Sequence, residues 1–553
     1  MENAITIDSL LIENKNLRIE NESFRIENGV IKAELAEVNR KLSWFMEQLF
    51  SNRRKLYGQS SEKSAYDGAV QLDLFTEDET GIVVTEFDNT TEGATEDTAA
   101  AEQPQKKRPK KRGEMSTRLP ANLPVERVEC VLPEDEQECP KCGELMHDMG
   151  RDLDRRELKI IPAKAVVTEY WRHSYSCRRC EKTAVDESVP VIKAPLPPQV
   201  IKGSMCAPET VAHIIVEKCV MGSPLYRQEK SWRQRGIPIT RQTMANWLIR
   251  CSKDYFEPIY AELHRRLCLQ ECLNVDETTF QVLKEPGKLP QSDSRMWLYR
   301  TGIDAEHPIV LYDYQPDRRQ ERPKEFLAGF SGYIMTDGYS AYHNMPKNII
   351  VVGCFAHVRS KFVDALRCLK EKDQPGSLAF KGKEFCDKLF DIDREITDKT
   401  FKERYEIRNK KAAPILDEFH AWLVSVQKHT STKSKLGIAV SYALNQWKYL
   451  IRYLLDGRLE CNNNRAERSI KPFVINRKNF LFADSVAGAR TAAVLQSLTE
   501  TSMENGLNPF EYLAHVLRSA AAGNIRVDAD LLNRLLPENA PESCRVPRCQ
   551  SAV

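Results

Sequence analysis

No run of 18 apolar residues occurs anywhere in this 553-residue chain, so no segment has the length and apolarity of a membrane-spanning helix. Met1 is followed by acidic and amide residues where an export leader would carry basic and then apolar ones, which predicts a soluble protein that is not exported and has no membrane partner. Net charge is almost missing as well. The 81 Lys and Arg stand against 79 Asp and Glu, a balance of +2, so bulk charge names no polyanion partner and only its distribution can. Sixteen cysteines in a long chain without a leader are expected as reduced thiols, and no His-rich cluster accompanies them, which argues against a zinc hydrolase. Lys and Arg are absent altogether between Ser64 and Gln105, where acids recur from Asp67 to Glu102; such a stretch cannot build a core and reads as a flexible linker.

What is present divides the chain into several units, since one core rarely serves more than ~150 to 200 residues. From Leu10 an apolar residue returns every seventh position as Leu17, Phe24, Ile31, Val38 and Phe45, with Asn14, Asn21 and Asn28 at the alternate seam positions. That is a coiled-coil pattern in which buried asparagines favour a two-stranded coil, and it predicts a parallel dimer over 1–60; a lone amphipathic helix is the other reading. The linker, 61–120, ends in Lys106, Lys107, Arg108, Pro109, Lys110, Lys111 and Arg112, a basic arm able to neutralise phosphates or simply a solvated linker end.

Within 121–195 two CxxC pairs, Cys139 with Cys142 and Cys177 with Cys180, are separated by 34 residues. Two such turns complete a tetrahedral Cys₄ site for structural Zn²⁺, whereas redox chemistry needs only one pair. Arginines and lysines around the pairs suit a DNA-binding zinc module. Over 200–268 helical periodicity resumes, with a turn at Arg235-Gly-Ile-Pro238 and Thr240 placed to cap a helix. That helix offers Arg241, Gln242, Thr243 and Asn246 to base edges and keeps Met244, Trp247 and Leu248 for a core face, so it reads as helix-turn-helix, with plain helical packing as the alternative.

From Cys272 the pattern changes to short β-rich runs: Leu273 to Val282, Trp297 to Ile303, Ile309 to Tyr314, Tyr333 to Thr336 and Ile349 to Val352. A helix is expected at Glu325 to Phe330 and another near Ala356, giving the order strand, strand, strand, helix, strand, helix, strand. That order predicts a ribonuclease-H-like α/β catalytic domain over 269–500, with a charged helical insertion at about 376–456 and a helical region and tail over 501–553. In such a sheet Asp276, in the first strand, and Asp337, just after the fourth, lie side by side. Glu467 enters on a later helix beginning after the Asn462 to Asn464 cap. Three hard oxygen donors suit magnesium or manganese, and two such ions serve in-line displacement at phosphorus. One site then serves both strand cleavage by water and strand joining by a 3′-hydroxyl. The overall class is multidomain α+β.

Several blocks in order resemble the transposases of the insertion sequence 66 family over nearly the whole chain: Lys55-Leu-Tyr-Gly-Gln-Ser-Ser-Glu-Lys63, Val275-Asp-Glu-Thr278, Thr336-Asp-Gly-Tyr339, Ala466-Glu-Arg468, Arg477-Lys-Asn-Phe480 and Asn508-Pro-Phe-Glu-Tyr512. The resemblance implies a bacterial DDE transposase, cytoplasmic and nucleoid-associated when on DNA. It would recognise the terminal inverted repeats of its own element and work as a homodimer or higher oligomer with small companion proteins. Cys354-Phe-Ala-His357 is similar to the Cys-x-x-His found after the second aspartate in several DDE groups, which implies a supporting catalytic role for His357. One departure is Asn462 where family members usually carry aspartate, so position 462 is not expected to bind metal. The alternative function is a catalytically inactive or domesticated transposase acting as a DNA-binding regulator.

Overall fold

The computed structural model describes residues 165–171, 173–176 and 191–547, together with positions 15, 18, 22, 25 and 29. The seam positions of the amino-terminal heptads, the basic run Lys106 to Arg112, and Cys139, Cys142, Cys177 and Cys180 lie outside the described residues. By its contacts the chain forms two units, one holding Gln199–Ala540 together with Met1–Asp88, the other Asn89–Pro198 and Pro541–Val553. In the second unit a short ribbon pairs β1 (Ser174–Ser176) antiparallel with β2 (Val191–Lys193), and β1 leads directly into Cys177.

The first unit is a mixed α+β structure built on one sheet. Its strands are β3 (Cys272–Lys284), β4 (Asp293–Thr301), β5 (Val310–Gln315), β6 (Gly332–Met335), β7 (Ile349–Val352) and β8 (Phe482–Ser485). Their spatial order is β5-β4-β3-β6-β7, with β8 alongside the far end of β3. β3, β4 and β5 pair antiparallel with one another, whereas β6 and β8 are parallel to β3 and β7 is parallel to β6. Helices cover both faces, so the central strands are near-continuously buried rather than alternating: Met296, Trp297, Leu298 and Tyr299 are all inaccessible.

The helices are α1 (Pro208–Cys219), α2 (Leu225–Gln234), α3 (Arg241–Cys251), α4 (Glu257–Leu267), α5 (Glu321–Phe326), α6 (Phe355–Arg367), α7 (Leu378–Glu395), α8 (Phe401–Ile407), α9 (Ala413–Gln427), α10 (Lys435–Leu450), α11 (Asn464–Phe480), α12 (Val486–Glu504), α13 (Pro509–Ala522) and α14 (Ala529–Arg534). None of the described helices is long and apolar enough to cross a membrane.

Two expectations need correction. The helix before the fourth strand spans Glu321–Phe326, not Glu325 to Phe330; Pro323 sits in its first turn, and Gly329 at φ +91° has already turned the chain. The crossover from β6 to β7 contains only a 3₁₀ turn, Ser340–Asn344, because the flanking Gly338 and Pro346 leave no room for an α-helical run; the α-helix follows β7 instead.

Helix α12 shows why β5 can be an edge strand without inviting another chain. Thr501 Oγ1 accepts the Val310 N–H at 3.0 Å and Ser497 Oγ accepts the Tyr312 N–H at 2.7 Å, so the open edge is closed by hydroxyls. The helix is consequently buried on nearly every side, Glu500 included, whose carboxyl accepts from Gln496 at 2.9 Å. Burial pushes Glu500 up to about 7. A carboxylate held protonated in the fold but ionised in the unfolded chain makes stability fall as pH rises from ~4 through ~7. Glu500→Gln is expected to flatten the decline between pH 5 and 8, on the order of 3 kcal/mol for this group, in melting curves taken in the presence of chelator. An unchanged pH slope would place the proton elsewhere.

Helices α7 to α10 fill the stretch between β7 and α11. Their core continues from α6: the Phe385 and Phe419 rings stack with centroids 4.8 Å apart, flanked by Phe362 and Trp422. Between α8 and α9 the helix widens into a π segment, Arg408–Ala412. Arg408 is buried there, holding Asp393 through Nε at 2.8 Å and Nη2 at 3.0 Å and donating to the Leu459 carbonyl at 2.6 Å. This joint fixes the chain just where it returns toward Glu467.

Candidate active site

The register of the sheet decides which acids meet. Asn274 of β3 is paired with Met335 of the parallel β6, so Asp276 and Asp337 each stand two residues beyond the same rung. In a period-two strand that places them side by side at the carboxyl ends of adjacent strands. Asp276 is buried; its Oδ1 accepts the Glu277 N–H at 2.9 Å, and its Oδ2 is buried without a hydrogen-bond partner. Asp337 opens the loop after β6, and its Oδ1 accepts the Tyr339 N–H at 2.9 Å in an Asx turn.

Glu467 arrives from the first turn of α11, where an acid faces the positive end of the helix. The helix starts at Asn464, and the side chain of its N-cap, Asn463, does not cap it. Instead Asn463 donates to the Val275 carbonyl at 2.9 Å and accepts from Asn274 at 3.0 Å, so it ties the start of α11 to β3 beside Asp276. Asn462 Oδ1 takes the Asn464 N–H at 3.1 Å, a turn-forming role. Sequence reasoning misses the tie through Asn463 and Asn274, because it takes Asn462 to Asn464 only as the cap of the helix that follows.

Electrostatics link the three acids. Burial pushes Asp276 well above the usual carboxylate range, and the charges of Glu277, Asp337 and Glu467 add to it. Burial also raises Asp337, against the opposing Tyr339 N–H and Arg318. Glu467 is raised by burial, partly offset by His357 and reinforced by Asp337. Repelling carboxylates of this kind, one with a buried oxygen left unbonded, have the chemistry that a hard divalent cation favours.

His357 lies in the first turn of α6 with Nδ1 3.8 Å from Glu467 Oε1. Burial holds its pKa below the ordinary imidazole value, against the opposing charge of Glu467, and Nδ1 is buried without a hydrogen-bond partner. Cys354, just before α6, receives the Asn463 N–H on its sulfur at 3.1 Å, and burial pushes its thiol up to about 12.

A fourth acid, which the sequence pattern does not single out, completes the surroundings. Glu277 projects to the opposite side of β3 from Asp276, where Arg318 Nε reaches it at 2.7 Å and the Tyr342 hydroxyl donates to its other oxygen. The Arg318 guanidinium lies 3.5 Å over the Tyr339 ring, and Tyr339 donates back to the Arg318 carbonyl at 2.6 Å. Both tyrosines flank the turn that carries Asp337, so this cluster braces it from below. From the other side Tyr442 of α10 approaches so closely that a Cβ at Gly338 would lie 2.6 Å from its hydroxyl, and Gln446 donates to the Gly338 carbonyl at 3.3 Å.

Away from this centre, α2 and α3 meet through a turn with Gly236 at φ +75°. Thr240 caps α3 by accepting the Thr243 N–H at 3.2 Å. Met244, Trp247 and Leu248 are buried, whereas Arg241, Gln242 and Asn246 are exposed and Thr243 half-exposed; Gln242 donates to Asn246 at 3.1 Å. One face of α3 is therefore polar, basic and open. These residues are not part of the Asp276 centre.

Known proteins share much of this chain. Residues 203–491, just over half of it, match the model described as Transposase IS66 family. Residues 136–181 match the zinc-finger binding domain of transposase IS66, and residues 44–128 match Transposase C of IS166 homeodomain, across the acidic stretch. Uncharacterized protein y4jD of Sinorhizobium fredii (strain NBRC 101917 / NGR234) is 30% identical over 76% of this chain and 81% of its own length. Uncharacterized protein y4qI of the same strain is 31% identical over 72% and 73%. Among solved structures, a chain of the Drosophila P element transposase strand transfer complex aligns over 60% of this chain and 94% of its own at 11% identity; its TM-score of 0.23 carries no argument about fold.

Proposed function

Because the chain belongs to the Transposase IS66 family, we propose that it is a DDE transposase that cleaves DNA strands at the terminal inverted repeats of an insertion sequence and transfers them into target DNA. The observation that carries this reading is the β3–β6 register, which sets Asp276 beside Asp337; Glu467 enters from α11 near enough for its charge to act on Asp276 and to feel Asp337, and Asp276 Oδ2 has no hydrogen-bond partner. The sheet order, with an antiparallel trio extended by two parallel strands, supports a ribonuclease-H-like catalytic core.

Asp276, Asp337 and Glu467 are the residues to hold two divalent ions, magnesium or manganese. When bound, such ions supply activation of the attacking oxygen and stabilisation of the leaving one at phosphorus. The chain's own contribution is position and charge. The Asx turn at Asp337 leaves its second oxygen available, Asn463 fixes the first turn of α11, and the Glu277–Arg318 brace limits movement of the Asp337 loop. His357, with Nδ1 3.8 Å from Glu467 Oε1, is assigned a supporting role beside that carboxylate.

The open face of α3, with Arg241, Gln242, Thr243 and Asn246, is suited to base edges, and Lys106, Lys107, Arg108, Lys110, Lys111 and Arg112 to phosphates. Cys139, Cys142, Cys177 and Cys180 are assigned structural zinc, in keeping with the match of that segment to a zinc-finger domain. The amino-terminal heptads are assigned dimerisation, in a protein of the bacterial cytoplasm that joins the nucleoid when bound to DNA.

The test uses purified full-length protein, labelled duplex ending in the inverted repeat that flanks its gene, and magnesium or chelator, beside Glu467→Gln. Magnesium-dependent cleavage at the repeat tip that vanishes in the variant is the expected result. Equal cleavage by the variant would remove Glu467 from the mechanism. Binding without cleavage, even after the neighbouring gene products are added, would favour the regulator.

A further inference from the structure

We propose that Cys354, His357 and Glu467 form a further metal site, apart from the four-cysteine module, that takes a thiophilic divalent cation of the zinc class, and that its occupation withdraws Glu467 from Asp276 and Asp337. The cysteine sulfur, a ring nitrogen of the histidine and a carboxylate oxygen of the glutamate all lie within 4.8 Å of one another. Cys354 and His357 stand three residues apart at the start of α6, which brings both to one turn, and Glu467 meets them from the first turn of α11. The His357 and Glu467 atoms are 3.8 Å apart, and His357 Nδ1 is a buried nitrogen that makes no hydrogen bond.

Bonds of ~2.0 to 2.3 Å around a tetrahedral ion put neighbouring ligand atoms roughly 3.3 to 3.7 Å apart, so side-chain rotations of well under a turn close the triad. Thiol, imidazole and carboxylate in one cluster select zinc over magnesium, which asks for oxygen alone, and three protein ligands leave a fourth position for water. Binding replaces the cysteine proton, which leaves to solvent. The Asn463 N–H already directed at the sulfur stabilises the charge that remains. Since Glu467 serves both groups, zinc occupation and magnesium-dependent chemistry exclude one another; this consequence rests on the transposase reading, whereas the metal site does not.

The probe is cobalt(II), added to full-length protein that keeps zinc in its CxxC module. Wild type is expected to take up one further equivalent with a sulfur-to-cobalt charge-transfer band. Cys354→Ser loses the band, His357→Gln weakens uptake about tenfold or more, and Cys268→Ser retains both. Melting curves check that the variants fold, and either of the two suffices. No further uptake, or an unchanged band in Cys354→Ser, overturns the site. In the cleavage assay the zinc concentration that halves each protein's own rate should rise about tenfold in Cys354→Ser. Equal inhibition of both overturns the sharing of Glu467. If no preparation cleaves DNA, the transposase reading fails, and the cobalt band alone still decides the metal site.

Discussion

Asp276→Asn is expected to make the metal-free protein more stable while reducing magnesium-dependent cleavage by about 10²- to 10³-fold or more, the range for removing one electrostatic stabiliser from an active site. The two effects share one cause. Asp276 is buried among Glu277, Asp337 and Glu467, and its folded-state pKa lies well above the unfolded value. Below the unfolded pKa the carboxyl is protonated in both states. As pH rises toward the folded pKa the unfolded chain gives up the proton and the fold retains it, so stability declines across that window. Above the unfolded pKa the metal-free fold therefore bears the cost of keeping a proton on Asp276 or of carrying its repelled charge, and a bound cation removes that cost. An asparagine of the same shape has no carboxyl to titrate and is expected to add roughly 1 to 2 kcal/mol, the usual yield of relaxing a functional site.

Magnesium should then reverse the ranking. It raises the melting temperature of wild type by preferential binding to the folded state and raises that of Asp276→Asn far less. Melting with chelator and with magnesium, for both proteins at pH 5.5 and 8, reads all four states. A variant that is less stable than wild type without metal would mean that Asp276 is a structural acid with a fixed partner, and the cation site would lose its first ligand.

Much of the sheet is legible in the sequence because its signals are local. Val275, Phe280 and Val282, and the Trp297 to Tyr299 run, are β-rich segments bounded by polar turns, and each lies in a strand. Taken singly Asp276 and Asp337 are ordinary acids; they stand out by their places in the strand order, one in the first strand and one just after the fourth. The Thr240 cap and the buried face of Met244, Trp247 and Leu248 follow from helical spacing. What stays hidden depends on contacts far apart in sequence. Asn463 reaches Asn274 and Val275 across nearly 190 residues, and nothing near it predicts that its side chain abandons the helix it precedes. The π segment at Arg408 likewise answers to Asp393 and Leu459 rather than to its own neighbours. The absence of an α-helix between β6 and β7 is a different case, since Gly338 and Pro346 are plain in the sequence; only the shortness of the crossover makes their combined effect decisive.

The brace beneath the Asp337 turn yields the other large effect. Arg318→Ala leaves the Glu277 side chain, 2% exposed, with the Tyr342 hydroxyl and without its ion-pair partner. Removing one member of a fully buried pair costs about 3 to 5 kcal/mol; because 37% of the Arg318 side chain reaches solvent, the lower end applies, about 3 kcal/mol at neutral pH. Arg318 is among the groups that hold the Glu277 pKa down against burial and Asp337, so its loss raises that pKa further. The destabilisation should accordingly shrink as pH falls and Glu277 takes up a proton, giving a smaller gap from wild type at pH 5 than at pH 8. Glu277→Gln combined with Arg318→Met should recover most of the stability, since an unpaired charge rather than the missing pair is what destabilises. Cleavage should not recover with it, because the methionine carries no guanidinium to lie over Tyr339 and hold the turn that presents Asp337. Denaturant midpoints at the two pH values decide the matter: a loss of equal size at both would mean that Arg318 stabilises by packing on Tyr339 and that Glu277 is incidental to the brace.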